Sequence, residues 1–117
     1  MSPDHVAISV PDLAAAREWY ADAFVLSPGP IVAIGDGGLT GSVLEHSSGF
    51  RIELLHRPDS TPGPIDAGGP DEAALTLGYG HLCWRADDVA AAHDRLTALG
   101  AVSRLAPRPS PSRPGAT

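Results

Sequence analysis

Two histidines, His5 and His81, open two stretches of closely similar sequence, and Glu53 lies between them. Residues 4–24 read DHVAISVPDLAAAREWYADAF and residues 80–100 read GHLCWRADDVAAAHDRLTALG. At a constant offset of 76, His5 falls on His81, Val6 on Leu82, Asp12 on Asp88, Leu13 on Val89 and Ala14–Ala16 on Ala90–Ala92. A period of that size marks a duplicated structural unit rather than a short solenoid repeat. Two units related by a pseudo-twofold axis would bring their equivalent histidines to one shared site. Two imidazoles and a carboxylate are the donors that suit a divalent first-row metal such as Zn, Ni, Fe or Mn.

The elements that must position these residues follow from periodicity. His5–Val10 alternates, with Val6, Ile8 and Val10 on one face and His5, Ala7 and Ser9 on the other. That is the pattern of a half-buried strand. Pro11 ends it, and Asp12 is a good N-cap for a helix. The helix stripe Leu13, Ala16, Tyr20 and Ala23, with Phe24 beside it, is spaced to pack on a sheet. Three strands follow, Ile31–Ile34, Ser42–His46 and Phe50–His56, separated by the turn signals Gly35-Asp36-Gly37-Gly38 and Ser47-Ser48-Gly49. The first unit therefore reads βαβββ. Val6 and Ile8 must face the helix, so His5 points to the open side of the sheet. Ile52 and Leu54 form the apolar face of the last strand, so Arg51, Glu53 and Leu55 alternate away from it.

Residues 58–79, rich in proline and glycine and without sustained periodicity, read as an inter-unit connection of a length often found in lids. The second unit then begins like the first. Gly80–Ala86 is expected as a strand, with Leu82 and Trp84 toward a helix and His81, Cys83 and Arg85 pointing as His5 does. Asp87 and Asp88 cap a helix whose stripe is Val89, Ala92, Leu96 and Leu99, and Gly100 stops it. Ala101–Ala106 can form a further strand. Pro107, Pro109, Pro111 and Pro114 preclude a central strand beyond it. The second unit is short of the first unit's last two strands.

Bulk properties exclude several partners. A chain of 117 residues is expected to form a single domain, burying roughly two-thirds of its unfolded surface. With 14 acidic against 8 basic residues and a formal charge of −6, it is poorly suited to nucleic acid or an anionic membrane surface. Arg104, Arg108 and Arg113 bunch only in the proline-rich tail. No apolar run approaches the ~20 residues needed to span a bilayer, and MSPDHVAISV lacks the features of a signal peptide. Cys83 is the only cysteine, which excludes an intrachain disulfide and fits a reducing, cytoplasmic location.

The stretches DHVAISVPDLAAAREWY, FRIELLH and GYGHLCWRADDVAAAHDRLTALGA resemble the vicinal oxygen chelate superfamily of glyoxalases, bleomycin-resistance proteins and extradiol dioxygenases. The resemblance covers most of residues 4–57 and 79–106. It implies an α+β fold in which paired βαβββ modules form a curved mixed sheet around a cavity. In one glyoxalase-like domain over 1–117, module one would span 4–57, the connecting loop 58–79 and an incomplete module two 80–117. Carried over residue by residue, the glyoxalase ligand positions fall on His5, Glu53 and His81. The fourth position, on a closing strand of module two, has no counterpart before Thr117. Truncation is the favoured explanation, with strands supplied by another chain or a member that works without them as alternatives. The resemblance also implies a homodimer that completes the cavity.

A single imidazole in such a place is ordinarily a hydrogen-bonded structural residue. Two at equivalent repeat positions, with Glu53 in parity, point instead to a metal site. The function expected is a glyoxalase-like, metal-dependent lyase or isomerase acting on a small carbonyl substrate by proton abstraction and enolate stabilisation. Glu53 is a candidate base, although it could not then also be a permanently bound ligand. Arg51 and Arg85 are candidates for binding an anionic substrate. Glutathione-dependent relatives usually carry an arginine where Ser9 stands, which argues against a glutathione adduct. The alternatives are metal-free drug sequestration of the bleomycin-resistance kind and Fe(II) extradiol ring cleavage. Cys83 is expected to be small and buried, Trp19, Tyr20 and Trp84 to be packing residues, and His46, His56 and His93 to lie at the surface.

Overall fold

The computed structural model describes residues 1–63 and 70–112; Arg113 and Pro114 of the tail lie outside them. The chain divides into two compact units, Met1–Pro62 and Gly63–Thr117, and the division falls within the 58–79 connection. The class is α+β, as the resemblance implies.

Unit one follows the βαβββ plan with one additional short strand: strand β1 (Val6–Ser9), helix α1 (Leu13–Phe24), the short strands β2 (Ser27–Pro28) and β3 (Val32–Ile34), β4 (Leu39–Glu45) and β5 (Arg51–His56). The sheet order is β1-β5-β4-β2, with β3 also on β4. β1 runs parallel to β5, pairing Val6 with Ile52 and Ala7 with Glu53. The β4–β5 and β3–β4 pairs are antiparallel hairpins, turned at glycines with left-handed backbone: Gly35 and Gly38 at φ 67° and 85°, and Gly49 at 93°. α1 begins where Asp12 accepts a hydrogen bond from the Ala15 N–H at 3.0 Å, the N-cap geometry that its position after Pro11 suggested.

The helix lies across β4, β5 and β2. Leu13 and Ala23 of α1, with Val10, Leu26, Leu44, Ile52 and Leu54, form the buried core. Removing such side chains from water is the main favourable term, roughly 1.5–3 kcal/mol for a fully buried aliphatic residue. Trp19 packs edge-on to both Tyr20 and Phe24, and those two rings are tilted at 44° to each other, with ring centroids 5.2–5.9 Å apart along α1, as packing residues should.

The outer edge of the sheet departs from the sequence expectation. Ser27–Pro28 forms a strand ahead of Ile31–Ile34, and β4 begins three residues before Ser42. Ser27 and Pro28 pair with Glu45 and Leu44 of β4. The Gly29 N–H still donates to Val43 O at 2.7 Å. The Gly29 carbonyl in turn accepts from Arg17 Nε and from the buried Ser42 hydroxyl, both at 2.8 Å. These bonds tie the helix, the interrupted edge and β4 together and satisfy Ser42, the one buried polar side chain among the described residues.

Unit two, among its described residues, consists of the short helix α2 (Pro70–Ala73) and helix α3 (Val89–Ala98). Asp88 caps α3 by accepting from the Ala91 N–H at 3.0 Å, as its twin Asp12 does. Gly100, at φ 98°, ends the helix, and Ala101 N–H closes back onto Leu96 O. Val89, Ala92 and Leu96 are half-buried along the expected stripe, whereas Leu99 is exposed. The two stretches expected as strands, Gly80–Ala86 and Ala101–Ala106, are irregular. Alternation shows that a segment can serve as a strand, but a strand exists only with a ladder partner for its backbone groups. Among the described residues of unit two there is none.

Candidate functional site

β1 and β5 deliver the first two candidate residues to one face of unit one. With Ile52 and Leu54 fully buried beneath α1, the period-two rule sends Arg51, Glu53 and Leu55 to the opposite, open face. His5, just ahead of β1, shares that face. Its Nε2 stands 3.8 Å from Glu53 Oε1, with the side chains 39% and 25% exposed. The face parity read from the sequence therefore holds for His5 and Glu53.

The other ring nitrogen of His5 is also engaged. Nδ1 lies 2.7 Å from Asp4 Oδ2, while the second Asp4 oxygen pairs with Arg51 Nη2. The hydrogen bond from His5 holds the Asp4 carboxyl below its ordinary range, aided by the Arg51 charge and opposed by desolvation. Arg51, a candidate for binding an anionic substrate, thus has its guanidinium end on Asp4, and its buried Nε has no partner. Asp4 was not singled out from the sequence. An acidic residue beside a candidate histidine is the only signal for it, and the strand register alone reveals its contact with Arg51.

Beside Glu53 the open face sinks into a depression of about 220 Å³, lined by Pro30, Val32, Ile34, Gly41 and Val43 among others. The walls are apolar, and Glu53 brings the ionisable group. Gly41 keeps part of this floor clear, since a Cβ there would come within 3.0 Å of Ile34 Cδ1 and 3.1 Å of Leu55 Cδ2.

His81 and Arg85 lie in unit two, on exposed and irregular chain. Among the described residues, no group of three or more His, Cys, Asp or Glu is poised to hold a metal ion. Unit one by itself offers two donors, and they fit one cation. Zinc bonds to imidazole and carboxylate at roughly 2.0–2.2 Å, so a single ion can touch groups up to ~4.2 Å apart.

The remaining histidines have local structural partners. His56 Nδ1 donates to Val10 O at 3.0 Å, extending the β1–β5 seam. His46 Nδ1 accepts the Ser48 N–H within the 47–49 turn, and His93 Nε2 lies 2.7 Å from Ser103 Oγ. All three are half-buried rather than freely exposed. Cys83 is exposed, not buried as expected, because the strand that would have packed it is not formed. No helix among the described residues is long and apolar enough to cross a membrane.

Comparison with known proteins identifies the family by sequence. Residues 4–116 match the model of the glyoxalase/bleomycin resistance protein/dioxygenase superfamily. The chain is 34% identical over 102 residues to an ethylmalonyl-CoA/methylmalonyl-CoA epimerase of Cereibacter sphaeroides, covering 84% of this chain and 70% of that one. Among solved structures it resembles methylmalonyl-CoA epimerase from Mycobacterium tuberculosis at 33% identity and a TM-score of 0.43, over 48% of this chain and 38% of that one. A glyoxylase/bleomycin resistance protein/dioxygenase domain from Frankia sp. EAN1pec is similar at 20% identity and a TM-score of 0.48, over 60% and 50%. The matched part thus spans half or less of either solved chain.

Proposed function

Since this chain belongs to the glyoxalase/bleomycin resistance protein/dioxygenase superfamily, we propose that it is a metal-dependent isomerase that moves a proton on a carbon beside a carbonyl. The substrate class is an acyl-CoA thioester carrying a second carboxylate, the class named by its 34%-identical relative. The observation that carries this reading is the approach of His5 Nε2 to Glu53 Oε1 at the edge of an open, apolar depression.

The hydrogen on a carbon flanked by a thioester carbonyl and a carboxylate is acidic for a C–H. Its removal leaves charge on the carbonyl oxygen, and stabilising that charge is the main catalytic task. A divalent ion held by His5, Glu53 and His81 would supply Lewis-acid polarisation of the substrate oxygens. The chain's own contribution is to hold two anionic or lone-pair donors on one face, beside the apolar walls formed by Val32, Ile34 and Val43. Epimerisation returns the proton to the opposite side of the same carbon. A group able to take up and release that proton is therefore required within reach of it. Glu53 is assigned here as a ligand and not as that base.

Deuterium uptake tests the proposal. Full-length protein, stripped and reloaded with Zn, Ni, Fe or Mn in turn, is incubated with methylmalonyl-CoA in D₂O, and label at the substituted carbon is followed by mass spectrometry. Uptake well above the protein-free rate, lost after chelation and in His5→Ala, is expected. Uptake indistinguishable from the protein-free rate with every metal would overturn the proposal.

A further inference from the structure

We infer that Asp4, anchored by Arg51, is a positioning residue that fixes which ring nitrogen of His5 is left bare toward Glu53. The inference rests on the metal-site reading above but concerns a property of the metal-free chain as well.

The geometry leaves little choice. A carboxylate can only accept hydrogen bonds, so the 2.7 Å contact between Asp4 Oδ2 and His5 Nδ1 requires the proton on Nδ1. In the neutral ring Nε2 then carries a lone pair, and it faces Glu53 Oε1, a second acceptor, at 3.8 Å. Two acceptors facing each other repel unless a cation stands between them. In the other tautomer Nδ1 would set a lone pair against Asp4, also an acceptor, and the proton on Nε2 would leave that nitrogen unable to bind an ion.

Arg51 supplies the anchor. Residues 51 and 53 lie on one face of β5, and the parallel register pairs Ala7 with Glu53. Running the same register back two residues sets His5 level with Arg51. From there the guanidinium reaches the Asp4 oxygen that His5 does not use. The Asp4 side chain is 62% exposed, and an exposed ion pair adds little to stability. What the contact supplies is orientation: each carboxylate oxygen has one partner, so the carboxylate plane and the ring it holds are fixed together. A carboxylate behind a metal-binding imidazole fixes the tautomer and raises the donor strength of the opposite nitrogen.

The test uses the full chain, metal-free and labelled with ¹⁵N-histidine, at a pH where imidazole is neutral. Long-range ¹H–¹⁵N correlation spectra report the tautomer of each ring, and Zn²⁺ affinity is measured separately by competition with a chelator. Wild type is expected to show His5 as the Nδ1–H form. Asp4→Ala should shift it toward the Nε2–H form that free histidine prefers, without unfolding the chain, and weaken Zn²⁺ binding about 10–100-fold. Asp4→Asn, which keeps an acceptor oxygen, should restore much of the Nδ1–H form. Arg51→Ala should give a smaller shift in the same direction as Asp4→Ala. His5 found as Nε2–H in wild type, or unchanged in Asp4→Ala, overturns the inference even if Zn²⁺ binds. A tautomer that switches as expected in a chain that binds no Zn²⁺ supports the positioning role and instead removes the metal reading.

Discussion

At the scale of single residues, the sequence tells which face a side chain takes more readily than what it touches. Alternation along residues 5–10 and 51–55 is enough to place His5 and Glu53 on the open face, because the apolar partners Ile52 and Leu54 must go under the helix. It cannot show that Asp4 meets Arg51 across 47 positions, since that depends on how far β1 slides along β5. Gly29 is a similar case. In the sequence it is one glycine in a proline-rich turn, yet a Cβ there would stand 2.6 Å from Val43 O. Gly29→Ala should therefore destabilise unit one by about 1–3 kcal/mol, as overpacking against fixed backbone does. Gly37→Ala, where nothing lies within 4 Å, serves as the control. Urea unfolding checks both; equal midpoints for the two variants would contradict the tight approach at Gly29.

At the scale of elements, α1 and α3 were the most legible part of the chain, whereas the four-residue α2 falls within the stretch read as a connection. Asp12 and Asp88 cap these two, and their stripes lie where the three- and four-residue spacing puts them except at Leu99, which is exposed. Helices carry their hydrogen bonds internally, so local sequence suffices. Strands depend on neighbours, which is why Ser27–Pro28 was missed and why Gly80–Ala86 is irregular despite its alternation. One helix end carries strain that no pattern announces. Val25, at φ 54° and ψ 54°, closes α1 in the left-handed conformation, which a β-branched residue rarely adopts. Val25→Gly should stabilise the chain by about 1 kcal/mol by relieving it, raising Tm by several degrees. An unchanged or lower Tm would show that the 76% exposed Val25 side chain contributes more than its backbone costs.

At the scale of the whole molecule, the duplication remains the feature from which the functional reading starts. The offset of 76 pairs His5 with His81 and Asp12 with Asp88, and the equivalent caps show that both copies fold alike in their helices. The copies differ in their sheets: unit one forms five strands, while no described residue of unit two lies in a strand. The family match across residues 4–116 embraces both. The proposed ligands of the ion are His5 and Glu53, with His81, the counterpart of His5 in the duplication, as the third. Zn²⁺ titration of the full chain, comparing wild type with His5→Ala, Glu53→Ala and His81→Ala, tests that assignment most directly. The account predicts about one ion per chain, with each substitution weakening binding by about tenfold or more. A His81→Ala chain that binds Zn²⁺ as tightly as wild type would contradict it.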